Sequence, residues 1–213
     1  MLTPKYCSLA QHHPDKAAEQ LEAEAYALID ELKYRPFAYN GLVLGYTELK
    51  ATIRFALYAP VLWLVLEEVF DALLAQPRNE TLAGEVLTRF LATDSITASI
   101  PVDDAAIGIA CVDKTPRSDS FDAVSAVLDQ AASVSRLLGD SIAALYSICA
   151  QWKVEPRSRY TGGFEGVKPR KPLLVIGNTY DPATSIISAR NVTDTIKPSV
   201  LLEHGGVGVS LQD

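Results

Sequence analysis

One stretch of this sequence has the pattern of a strand enclosed on both faces: Pro172-Leu-Leu-Val-Ile-Gly177, an apolar run bounded by chain breakers. The residues after Gly177 narrow the fold further. A loop through Asp181-Pro182 leads to a helix over about Ser185 to Ile196 and a second apolar run, Val200 to Leu202. Strands joined through a helix at this spacing are parallel. Two parallel strands do not make a stable sheet by themselves, and both faces and at least one edge need partners. The sequence contains no further βαβ units to provide them, so the tail reads as one end of a larger sheet.

Upstream of Glu155 the periodicity is helical. Leu21, Ala25, Leu28 and Leu32 recur at helical spacing between residues 15 and 33, with Asp15 as the expected cap and Pro36 as the stop. Thr47 is the expected cap of a second helix carrying Leu49, Ile53 and Leu57. Pro60 ends that helix and opens the next, which runs to about Leu74, and another helix covers roughly Leu82 to Leu91. Residues 92 to 120 are rich in Thr, Ser, Asp and Pro and read as a surface segment, within which Ala105 to Val112 is a candidate strand. Helical spacing resumes at Phe121 and reaches Trp152. The expected organisation is a helical layer over residues 1–155 and an α/β segment over 156–213.

Composition excludes several classes of function. A net charge of −7 without a basic run argues against a nucleic-acid partner, because Lys168, Arg170 and Lys171 are too few to neutralise a phosphate backbone. The most apolar segment, Phe55 to Leu66, is too short to span a membrane and continues into Glu67 and Glu68. Lys5 has no apolar run behind it, so no secretory signal is expected at the N-terminus. Cys7, Cys111 and Cys149 form no CxxC motif. Their odd number fits reduced thiols, which composition favours, or a disulfide framework missing one member. The sequons Asn79-Glu-Thr81 and Asn191-Val-Thr193 lean toward the second. No cofactor or metal is expected, since His12 and His13 have no convergent partners.

Reactive side chains in open α/β sheets sit just beyond the carboxyl ends of strands. Asn178-Thr-Tyr-Asp181-Pro182 occupies that place, and an aspartate there can orient a catalytic histidine. Asp181 equally fits a turn residue before Pro182 that caps the following helix. Spacing alone does not separate the two.

The segments Cys149-Ala-Gln-Trp152, Lys171-Pro-Leu-Leu-Val-Ile-Gly-Asn-Thr-Tyr-Asp181-Pro-Ala-Thr184 and Ser188-Ala-Arg190 resemble the C-terminal segment of tripeptidyl-aminopeptidase-like α/β-hydrolases. Leu57-Tyr-Ala-Pro60 with Trp63, and Ala106-Ile-Gly-Ile-Ala-Cys111-Val-Asp113, are similar to that family's helical lid. The resemblance implies a partial α/β-hydrolase fold, a mostly helical lid layer followed by one C-terminal βαβ unit. It further implies Asp181 as the acid of a Ser-His-Asp triad, a peptide or ester substrate for the parent family, a typically secreted parent, and pairing of Cys111 with Cys149.

Two departures from the family pattern bear on activity. The G-x-S-x-G nucleophile elbow has its nearest match in Gly139-Asp-Ser141-Ile-Ala143, inside helical spacing, whereas an elbow needs a strand entering a sharp turn. The family's G-x-G-H segment reads Gly206-Val-Gly208-Val209 here, with His204 earlier, at the expected strand end. Without serine no acyl-enzyme forms, and without histidine no base activates a nucleophile. The expectation is a C-terminal fragment of a serine peptidase-type hydrolase, inactive alone. The alternative is a non-catalytic binding protein derived from the lid, associating with itself or pairing with a full-length relative. A third reading is an active enzyme that uses Ser141 or a partner's serine with His204.

Overall fold

The computed structural model describes residues 7–58, 60–92, 104–113, 117–160 and 162–209. It consists of two compact units, one formed by Met1–Ala92 with Gly163–Asp213 and the other by Thr93–Gly162.

The first unit opens with α1 (Ser8–His12) and α2 (Ala18–Glu31), then β1 (Phe37–Tyr39) and β2 (Leu42–Leu44). Next come α3 (Tyr46–Ala56), a 3-10 turn over Pro60–Leu62, α4 (Trp63–Leu74) and α5 (Glu80–Leu91). The helices follow the predicted spacing, and their apolar stripes meet in a core of Leu28, Leu32, Leu49, Ile53, Val69, Leu73, Val86 and Leu87. The caps differ from expectation. The start of α2 lies at Ala17, whose N–H donates to Gln20 Oε1 at 2.8 Å, so Asp15 is not the cap. At α3 the Gly45 N–H donates to Glu48 Oε2 at 2.9 Å, which places Thr47 inside the first turn. In both cases a side chain three residues into the helix reaches back to the first free amide.

The periodicity does not announce the hairpin β1–β2. It pairs Phe37 with Leu44 and Tyr39 with Leu42 across Asn40-Gly41, whose φ values of 47° and 77° are those of a tight two-residue turn.

The same unit contains β3 (Leu173–Tyr180), α9 (Ile186–Thr195) and β4 (Ser199–Val207), with β3 and β4 parallel as predicted. Both strands run further than the apolar runs, taking in Asn178–Tyr180 on one and Glu203–Val207 on the other. Burial on both faces does not hold. Helix α9 packs closely on one face, where a Cβ at Gly177 would lie 2.9 Å from Ile186 Cδ1. In register on the other face stand Leu174 with Val200 and Ile176 with Leu202, and Leu174 and Val200 are 62% and 60% exposed. One helix covers one face of the two-stranded sheet, and among the described residues the second face stays largely exposed at Leu174 and Val200.

The second unit contains α6 (Asp104–Asp113), α7 (Phe121–Val134) and α8 (Gly139–Ala150). Residues 105–112, expected as a strand, are helical. Three alanines among eight residues favour helix, and the run lacks the two-residue alternation of a half-buried strand. Helix α6 is joined to α8 by a buried Cys111–Cys149 disulfide. This corrects the composition-based preference for reduced thiols, while Cys7 carries a free thiol. Arg117 donates from Nη2 to the Cys111 carbonyl at 2.6 Å and from Nη1 to that of Cys149 at 3.1 Å, tying both sides of the bridge. No helix among the described residues is long and apolar enough to cross a membrane.

Candidate functional site

Asp181 follows β3 directly, at the carboxyl edge of the sheet. Pro182 has no N–H, so the first amides able to meet the Asp181 carboxylate are those of Ala183 and Thr184. They donate to Oδ1 at 2.8 and 2.7 Å, and the Thr184 hydroxyl donates to Oδ2 at 2.6 Å. Partial burial pushes the Asp181 pKa upward. The hydrogen bonds from the Thr184 hydroxyl and the two amides outweigh it and hold the carboxyl below its ordinary value. Asp181 is therefore an oriented carboxylate in a turn that leads into α9, whose Ser185 makes no side-chain capping bond, its hydroxyl lying 3.4 Å from that of Ser188.

His204 does not sit at a strand end. It lies within β4, in register with Asn178 on β3. Its Nδ1 accepts the Gly206 N–H at 3.1 Å and is 3.2 Å from Asn178 Oδ1. The Asn178 amide is anchored by donation from Nδ2 to the Gly208 carbonyl at 2.8 Å. The two contacts ask opposite roles of Nδ1, acceptor toward the Gly206 N–H and donor toward Asn178 Oδ1. Only a glycine fits at 206, since a Cβ there would lie 2.5 Å from Nδ1. No hydrogen bond links His204 to Asp181 among the described residues.

Asn178 is not among the residues that the sequence alone marks as functional. The signal was present: a carboxamide directly after an apolar strand, 3% exposed in the structure, needs internal partners. It finds them at a β-bulge, where Asn178 to Tyr180 of β3 span the longer interval from His204 to Val207 of β4. On the outer edge, Arg190 Nη2 donates to both oxygens of Glu203, at 3.1 and 2.8 Å, and Thr179 Oγ1 donates to Glu203 Oε1 at 3.2 Å. The Arg190 bond is the main cause that lowers the Glu203 pKa.

Ser141 is the third residue of α8, so the stretch around it is continuous helix and not a strand-to-helix elbow. Val209, at the position where the family motif places histidine, donates its backbone N–H to the Tyr58 carbonyl at 3.4 Å. His12 lies in the first unit, its Nδ1 2.9 Å from Asp71 Oδ1, and no group of metal-binding side chains occurs among the described residues. The second unit has a shallow recess of about 310 Å3 lined by Arg117, Asp119, Trp152, Lys153 and Glu155. It holds no serine–histidine arrangement.

Residues 135–211 match the family model described as TAP-like protein. That stretch takes in Cys149 to Trp152, the β3–α9–β4 unit, Asp181 and His204. It is similar to the C-terminal domain of TAP-like α/β-hydrolases. The segments around Leu57–Trp63 and Ala106–Asp113 lie outside the match. No curated protein matches the sequence.

Proposed function

We propose that the TAP-like α/β-hydrolase segment of residues 135–211 supplies the acid of a serine hydrolase triad, Asp181, and that these 213 residues do not hydrolyse peptides or esters unaided. The observation that carries this reading is the hydrogen bonding of Asp181. An ionised carboxylate offers about four acceptor sites. Two on Oδ1 and one on Oδ2 are occupied by Ala183 and Thr184, which leaves one on Oδ2 for an imidazole N–H. A carboxylate held in this way fixes the tautomer and orientation of a histidine, so that its other nitrogen serves as base toward a serine.

The inactivity rests on the same geometry. His204 has its Nδ1 taken by Gly206, Val209 carries no base, and Ser141 lies on a helix. The expected result is no turnover of an activated ester or an aminoacyl-peptide by the purified chain, and no labelling by a serine-directed fluorophosphonate. Turnover that disappears in Ser141→Ala would overturn it. Where a longer polypeptide supplies serine and histidine, Asp181→Asn is expected to lower kcat about 10,000-fold.

A second reading, a non-catalytic binding protein derived from the hydrolase lid and lacking the chemistry, is favoured by one observation. The bare face of Leu174, Ile176, Val200 and Leu202 is an apolar surface suited to a partner.

A further inference from the structure

We infer that Asn79 is an N-linked glycan attachment site. Neither the triad reading nor the hydrolase segment bears on it. The residue opens the sequon Asn79-Glu80-Thr81 and lies exposed at the junction between α4 and α5, with Thr81 exposed beside it.

Asn79 is also the cap of α5. Its Oδ1 accepts the Leu82 N–H at 3.1 Å, and its backbone N–H donates to the Ala72 carbonyl at 2.8 Å. The structural bond of the side chain therefore uses the carbonyl oxygen, and the Nδ2 amide makes no hydrogen bond among the described residues. Glycan transfer acts on the other atom. The bond that forms joins Nδ2 to the anomeric carbon of an oligosaccharide carried on a polyprenyl diphosphate. The anomeric C–O bond breaks, the polyprenyl diphosphate leaves with the electron pair, and Nδ2 loses one proton. The product is still an amide with its carbonyl intact, so Oδ1 goes on capping α5 while the sugar extends into solvent.

The buried Cys111–Cys149 disulfide is an independent observation with the same meaning. Disulfides persist in oxidising compartments, among them the lumen where such transfer occurs. Asn191, the second sequon, is exposed too, but it lies within α9 and caps nothing.

The test is secretion of the full chain from a eukaryotic host behind a secretory leader. Enzymatic deglycosylation in heavy-oxygen water then marks each occupied asparagine by mass spectrometry. The expected result is heavy-oxygen aspartate at position 79, lost in Thr81→Ala, which removes the sequon and keeps the cap. Asn79→Asp is expected to lose the same glycan mass and to match the deglycosylated parent in thermal midpoint, since aspartate caps through the same oxygen. Secreted, folded chain with position 79 unlabelled, whether or not Asn191 is labelled, would overturn the assignment.

Discussion

Gly84 shows how one side chain sets the path of a hairpin. It lies within α5, where glycine is a poor choice by helix propensity, yet a Cβ there would sit 2.4 Å from Tyr39 Cγ and 2.5 Å from Tyr39 Cβ. The β1 strand rests on α5 only because position 84 has no side chain. Gly84→Ala is expected to destabilise the chain by about 1–2 kcal/mol, the overpacking cost less the gain in propensity. In a Tyr39→Gly background, which removes both the Cγ and the Cβ contact, the same change should be neutral or stabilising. Equal costs in both backgrounds, measured by chemical denaturation, would show that the contact is not the cause. The Asn40-Gly41 turn is legible in the sequence, since that dipeptide between apolar triplets is a strong hairpin signal. The need for glycine at 84 is not, because it depends on what packs against the helix.

Between elements, Arg78 joins three pieces of chain. Its Nη1 and Nη2 donate to the two oxygens of Glu31 at 3.1 and 2.9 Å, and its Nε donates to the Leu73 carbonyl at the end of α4. The Arg78 hydrogen bond is the main cause that holds the Glu31 carboxyl below its ordinary value, and it outweighs partial burial. A carboxyl depressed in the folded state contributes stability above its unfolded pKa. That contribution is lost as pH falls through the folded value. Asp181 and Glu203 have the same sign. The thermal midpoint is therefore expected to fall from about pH 5 downward. Arg78→Gln should lower stability near neutral pH by about 0.5–1 kcal/mol after allowance for solvent screening, and should flatten the acid slope of the midpoint. An unchanged slope in that variant would remove Glu31 from the account. The pair joins residues 47 apart in sequence, and nothing in local periodicity announces it.

At the scale of the whole molecule, two features govern behaviour in solution. The Cys111–Cys149 bridge closes a loop of sequence separation 38, worth about 4 kcal/mol by loop entropy. Because both sulfurs are buried, reduction requires the second unit to open. Mild reductant should act slowly, and a denaturant pulse with reductant should leave that unit with lowered protection in hydrogen exchange. Rapid reduction under native conditions without loss of protection would contradict this. The second feature is the bare face of β3 and β4, whose Leu174, Ile176, Val200 and Leu202 favour burial at roughly 25 cal/mol per Å2. Light scattering over a concentration series is expected to show association, reduced in Leu174→Glu/Leu202→Lys. A monodisperse monomer throughout would argue against self-association and favour the binding-protein reading over that of an incomplete enzyme.

Local pattern determined the helices from α2 to α5, α7 and α8, the parallel β3–α9–β4 unit and the place of Asp181 after a strand. Each depends on residues within a few positions of one another: a 3.6-residue apolar stripe, a breaker-bounded apolar run, a proline that withholds an amide. Contacts between distant segments decided the rest. Residues 105–112 are helical by the alanine content of the run itself, but that Cys111 meets Cys149 across 38 residues is decided only in the folded unit. The faces of β3 and β4 could not be assigned from their own residues, since an apolar run is the same whether one helix covers it or two layers do. His204 and Asn178 became neighbours through strand register, a pairing between residues 26 apart that no local spacing encodes.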